Sequence, residues 1–222
     1  MLKYFRKKRN GGLKMPNSSE LRQRARASLG GNIFSTRWIY ALVACIIQSA
    51  IVSVISGFPL VGSIAVLILM GPLSMGLCQY FLNSSIRKEG DAESFATMFN
   101  HFSTDFGGNA ILGILTGLFT FLWSLLFIFP GIIKSYSYAM AYYIKIDHPE
   151  YSATQAITES RRMMNGYKFK LFCLDLSFIG WYIVGFLACC VGTFWVNPYA
   201  QASRAEFYLA LKSKAETEGE IL

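Results

Sequence analysis

Apolar and polar positions fall into blocks along this chain, and the same order of blocks occurs three times. A short stretch with apolar residues at helical spacing ends in Gly or Asn and runs into a long apolar segment. A Pro-containing turn then leads to a second apolar or aromatic stretch. The first copy starts at Leu21, passes Gly30, Gly31 and Asn32, and covers residues 38–55 and 60–82. The second starts at Phe95, passes Gly107, Gly108 and Asn109 to Ile128, and continues beyond Phe129, Pro130 and Gly131 to Ile144. The third runs from Ala153 through Asn165 and Gly166 to Trp195, then past Asn197 and Pro198 to Leu211. About 20 apolar residues span a hydrocarbon core of about 30 Å, and residues 38–55, 60–82 and 110–128 hold no charge. In hydrocarbon every backbone N–H and C=O must bond internally, so such runs become helices. The pattern predicts an all-α polytopic membrane protein. It has six transmembrane helices in three helix-pair pseudo-repeats, each preceded by a cytoplasmic interfacial amphipathic helix.

The leading helices carry their own signals. Phe95, Met98, Phe99 and Phe102 share one face in the second copy, and Ala153, Ala156, Ile157 and Met164 share one in the third. Leu21, Ala25, Ser28 and Leu29 form a weaker stripe in the first, opposite Arg22, Arg24 and Arg26. Such stripes suit helices lying in the membrane interface; docking against a soluble partner is the other use of the same face. Ser152 followed by Gln155 has the form of a capping box, and the Gly and Asn residues that follow suit left-handed C-caps. Pro59, Pro130 and Pro198 mark outward turns, while Pro72, behind Gly71, is expected to kink the second span. Gly113 and Gly117 have the spacing of a small-residue packing motif.

Composition supports this reading: 53% of the 222 residues are hydrophobic and 15% charged, with a mean hydropathy of +0.37. Soluble chains carry about a quarter charged residues. Ten of the 21 Lys and Arg residues lie before Trp38, against one acid, Glu20. Because Lys and Arg favour the cytoplasmic side, both termini are expected there. The three outward connections hold no Lys or Arg. Residues 1–17 are read as a flexible basic arm, 18–211 as one six-span domain and 212–222 as a polar tail. Clustered basic residues near a membrane attract anionic headgroups, which makes membrane lipids the expected partner, with a membrane protein as another and nucleic acid excluded. The basic lead is too long, and the apolar run too extended, for a cleaved signal peptide, so the first span is expected to be retained.

Chemistry is sparse. The five cysteines (Cys45, Cys78, Cys173, Cys189, Cys190) sit in apolar segments without C-x-x-C spacing, as small buried hydrophobes rather than a disulfide or zinc framework. No zincin, P-loop or nucleophile-elbow motif occurs, so neither a catalytic residue nor a metal or cofactor is expected. Ionisable residues within a bilayer are costly and usually pair or face the bundle interior. Lys134, Asp175, Arg204 and Glu206 are such residues, and together they make a candidate polar site for an ionic or amphiphilic ligand. A structural ion pair fixing helix register, or snorkelling to the interface, are the alternatives.

Several runs resemble a family of bacterial integral membrane proteins catalogued as domain of unknown function 975. They include F-I-F-P-G-I-I-K-S-Y at 127–136, M-N-G-Y-K at 164–168, L-F-C-L-D-L-S-F-I-G-W at 171–181, N-P-Y at 197–199 and Phe207-Tyr208. His148 departs from the Asn of that pattern. The likeness extends over about residues 18–211 and implies a bacterial, Gram-positive plasma-membrane protein; it implies no activity. Two functions are expected from the residues: transport or binding of a small or amphiphilic ligand at the internal polar site, or a non-catalytic scaffold or accessory role in envelope homeostasis.

Overall fold

The computed structural model describes residues 15–58, 61–87, 93–126, 128–187 and 191–218. Most of the basic arm, Pro59, Cys189, Cys190 and residues 219–222 lie outside them. Among the described residues the chain is helical throughout, without a strand.

Helix α1 (Ser18–Ser28) is started by Asn17, whose side chain accepts the Glu20 N–H. It ends where Gly30 and Gly31 take left-handed φ values of +94° and +80°, angles that glycine adopts at no steric cost. Ser35 then caps α2 (Thr36–Ser56), which pairs with α3 (Val61–Ile86). A single 3-10 turn (Phe95–Phe99) and the short α4 (Asn100–Ser103) come next. They precede α5 (Phe106–Leu126), α6 (Ile128–Tyr138) and α7 (Ala141–Asp147). Helix α8 (Ala153–Met163) opens on the expected capping box of Ser152 and Gln155. Gly166, with φ +78°, turns the chain into α9 (Lys168–Leu187), and α10 (Val191–Glu218) closes the fold.

Four of these helices, at Thr36–Ser56, Gly62–Ile86, Phe106–Leu125 and Lys168–Leu187, are long and apolar enough to cross a membrane. The other two expected spans differ. The fourth apolar segment is divided between α6 and α7. Ser160 of α8 holds that break open, donating to the Ser137 carbonyl at 2.8 Å and accepting the Met140 N–H at 3.2 Å. It thereby satisfies backbone groups that a continuous helix would pair internally. The sixth is part of α10, whose second half is too polar to qualify.

Three sequence expectations are corrected. Pro198 is not a turn: it lies inside α10, and α9 already ends at Leu187. Gly185 and Gly192 let α9 and α10 approach closely there, because a Cβ on either would collide with the backbone of the other helix. Gly107, Gly108 and Asn109 form the first turns of α5 instead of a left-handed cap, and the positive φ falls on Asp105. The predicted second interfacial helix is reduced to the 3-10 turn and four residues of α4, with Met98 as its buried residue. Pro130 sits in the first turn of α6, where its missing N–H has no helical partner to lose. Pro72 is carried within a continuous α3.

The helices pack through one end of each long hairpin. Buried are Trp38, Ala41, Ala44 and Cys45 at the start of α2, Leu73, Tyr80 and Phe81 late in α3, Ala110 and Leu112 early in α5, and Leu171, Leu174 and Phe178 early in α9. Helix α7 and the stretch of α10 from Ala202 to Leu211 complete this core. The apolar stripes of α1 (Leu21, Ala25, Leu29) and α8 (Ala153, Ala156, Ile157) are buried in it too. Helix α1 lies on α3, α9 and α10, and α8 on α5, α6 and α7. Gly71 and Gly76 let α3 touch the Asn109 and Met98 backbones. Toward the turns the arms are uncovered: Val54, Ile64, Leu67, Phe121, Leu125, Val184 and Leu187 are exposed. Residues 46–86, 107–133 and 176–203 carry no charge.

Candidate functional site

Asp175 stands two turns into α9, and Arg204 stands on α10 beside it. The arginine grips the carboxylate with two parallel bonds, Nε to Oδ1 at 3.1 Å and Nη2 to Oδ2 at 2.8 Å. This fork is the strong and directional form of the contact. Tyr136 of α6 adds its hydroxyl to Oδ2 at 3.1 Å. One carboxylate therefore ties three helices together, and the charges cancel within the group.

Helical spacing continues the site along both partners. Asp175, Phe178 and Tyr182 recur at three and seven residues on α9, and Asn197, Ala200, Gln201 and Arg204 recur at three, four and seven on α10. Residues so spaced share a face. The two stripes enclose a cavity of about 150 Å³ lined by these seven residues. Side-chain exposure is 19% for Asp175 and 44% for Arg204, so the cavity communicates with open space on the arginine side. What it offers chemically is hydrogen bonding: amides from Asn197 and Gln201, a hydroxyl from Tyr182 and the guanidinium edge.

Of the four residues expected to build the site, the structure brings two together. Lys134 takes another partner, its ammonium 4.4 Å from the centre of the Trp123 ring across the α5–α6 hairpin. That attraction to the ring face needs no carboxylate. Glu206 is two residues from Arg204, about 200° around the helix, and is buried in the core away from the cavity lining. Tyr136, Tyr182, Asn197 and Gln201 were not expected. The last two had a legible signal, since Asn197, Gln201 and Arg204 repeat at four and three residues in a largely apolar stretch. Tyr136 had none, because it belongs to a run of aromatic residues that looks like packing.

Other ionic ties lie in the packed ends. Asp147 accepts from Tyr208 at 2.5 Å and from Lys212 at 2.7 Å, joining α7 to α10. Buried Lys145 donates to Asp105 at 2.8 Å and to the carbonyls of Pro149 and Tyr151. All three protons of its ammonium are thus engaged, as burial of that group requires. The same hydrogen bond holds the Asp105 carboxyl below its usual range. Arg87 pairs with Glu93, which also accepts from Asn83 and Thr97. Among the described residues no group of three His, Cys, Asp or Glu side chains gathers as a metal site.

Among the described residues, the chain is all-helical, with four helices of membrane-spanning length and hydropathy. Residues 128–215, from the start of α6 to near the end of α10, match the model of the family described as Protein of unknown function (DUF975). The match includes Tyr136, Asp175, Arg204 and the whole cavity lining. No curated protein and no solved structure matches the chain.

Proposed function

We propose that this is a bacterial plasma-membrane protein that binds a small or amphiphilic ligand at the Asp175–Arg204 cavity, with its uncharged arms in the bilayer and its packed ends on the cytoplasmic side. Six crossings in three pseudo-repeats accommodate both the four qualifying helices and the α6 and α10 segments that pair with α5 and α9. The observation that carries the ligand reading is a cavity with convergent polar side chains in a setting otherwise built from apolar arms. Ligand sites are typically such apolar concavities with a few placed polar groups. At about 150 Å³ the cavity is far smaller than the several hundred Å³ of a drug-sized site. It therefore suits a small molecule or the head of an amphiphile, not a bulky solute.

A scaffold role through the leading helices has less to use, because the apolar faces of α1 and α8 are spent on the protein's own core. The polar face of α1, with Arg22, Arg24 and Arg26, is left for anionic headgroups, in line with the basic arm before it.

The site is tested by purifying the protein in nanodiscs and identifying co-purifying small molecules by native mass spectrometry. A ligand that disappears in Arg204→Met/Asp175→Leu, with folding retained, supports the reading; an unchanged bound population removes it. Orientation is tested separately with single cysteines at Arg87 and Ser56 in a cysteine-free background. An impermeant maleimide applied to intact cells is expected to label position 56 and spare 87, and the reverse would overturn the topology.

A further inference from the structure

We infer that the cavity selects an uncharged hydrogen-bonding group, a hydroxyl or amide, over a charged one. The inference rests on the ligand reading above and narrows it to a chemical class. The argument begins with the charges. Both oxygens of Asp175 are occupied, Oδ1 by Arg204 and Oδ2 by Arg204 and Tyr136. Among the described residues, no other ionisable side chain except the phenol of Tyr182 lines the cavity. An entering phosphate or ammonium would meet a pair already neutralised, in a place where a net charge left uncompensated costs far more than hydrogen bonds return. The guanidinium edge can still donate to a neutral acceptor, but an ion seated there would leave the cavity with a net charge that neither member of the fork is free to balance.

The unspent groups are of the opposite kind. Among the described residues, the Tyr182 hydroxyl and the Asn197 and Gln201 amides make no hydrogen bond to the protein. They supply both donors and acceptors, which is what a hydroxyl or amide needs and what a pure anion or cation cannot fully use. Size agrees. A cavity of about 150 Å³ takes a small polar head rather than a bulky solute. Beyond it, Ile179, Ile183 and Phe194 on the arms of α9 and α10 are exposed and apolar, a surface along which an acyl chain can lie. The shared chemistry is therefore a neutral polyol or amide, free in solution or as the head of an uncharged lipid.

Nanodiscs containing equal amounts of diacylglycerol and phosphatidic acid with identical acyl chains separate the classes, because the two lipids differ only in the phosphate. The full-length protein is expected to retain diacylglycerol at least fivefold over phosphatidic acid in native mass spectra. Asn197→Leu with Gln201→Met should abolish that preference. Tyr182→Phe, which keeps the ring and removes only the hydroxyl, should weaken retention two- to fivefold even if the double variant fails to fold. Added glycerol that displaces the lipid supports the free polyol as occupant, and glycerol that does not supports the lipid head. Preferential retention of phosphatidic acid, lost in Arg204→Met, would overturn the uncharged class while leaving the site in place. Retention of neither lipid in a way that any cavity substitution alters would overturn both.

Discussion

Both ends of each long hairpin carry large apolar side chains, and these meet opposite fates. At the packed end Phe207 has no exposed surface, Tyr80 and Phe178 expose 1%, and ion pairs cross between helices. In the arms Leu125 exposes 73% of its surface and Phe121 63%, with no charged side chain anywhere along them. Within the four membrane-length helices, between 17% and 44% of the apolar window is buried. Apolarity alone therefore does not decide which residues pack. Where lipid is the solvent there is little hydrophobic force between helices, and close packing, small residues and polar bonds hold them instead. Glycine contacts occur at both levels, at Gly71 and Gly76 in the core and at Gly185 against Gly192 near a turn. Among the described residues, interhelical ion pairs occur at the packed level and around Asp175.

Truncation breaks the comparison most severely. Phe207→Ala should lower stability by about 3–5 kcal/mol, the cost of a large cavity in a closed core. Leu125→Ala should stay within about 0.5 kcal/mol, since little surrounds it. Thermal unfolding in one detergent, followed by loss of the monodisperse peak, measures both. Similar losses at the two positions would mean that the arms are packed in solution as tightly as the core, and the distinction drawn between them would fail.

The ion pair at the boundary comes next. Asp175→Leu leaves Arg204 without its carboxylate, and removing one member of a buried pair costs about 3–5 kcal/mol. Arg204 is partly exposed here, so about 2 kcal/mol is expected. Replacing both residues, as Asp175→Leu with Arg204→Met, should recover most of that loss, because matched apolar pairs often stand in for buried ion pairs without harm. The same unfolding assay decides. A double variant as unstable as the single would make the charges, and not only their balance, necessary for the fold.

This boundary is also where the sequence was most and least informative. Uninterrupted apolar runs make helices easy to read, because a bilayer allows little else. Asp175 and Arg204 stood out for a related reason, as charges where charge is expensive. Lys134 looked equally costly, yet a tryptophan face on the neighbouring helix satisfies it, and nothing in the spacing of residues 123 and 134 announces that meeting. Pro198 misled because a proline at an apolar boundary usually marks a turn, whereas here it lies inside α10 and α9 meets α10 earlier, at Gly185 and Gly192. Likewise the division between α6 and α7 depends on Ser160, more than twenty residues away. Local pattern gives elements; contacts between distant residues set where they stop and which charges they join.

The smallest expected effect is a dependence on pH that the packed end has and the arms lack. His101 is half-buried beside the start of α5, and its Nε2 has no hydrogen-bond partner among the described residues. Burial disfavours the charged ring and lowers its pKa from the ordinary 6.5. The unfolded chain therefore binds a proton more readily than the folded one. The resulting stability is fully present above about pH 6.5 and declines as pH falls through the folded value. Asp105, also depressed, contributes in the same direction, but in a separate window that opens only below its ordinary value of 3.8. Unfolding midpoints measured from about pH 7.5 down to about pH 5 should fall more steeply for the wild type than for His101→Gln, which cannot take up the proton. Leu125→Ala should keep the wild-type slope, because no titrating side chain lies in the arm that carries it. If His101→Gln kept that slope as well, the imidazole would be as well solvated in the folded chain as in the unfolded one, and the packed end would be more open near α4 than its buried Met98 implies.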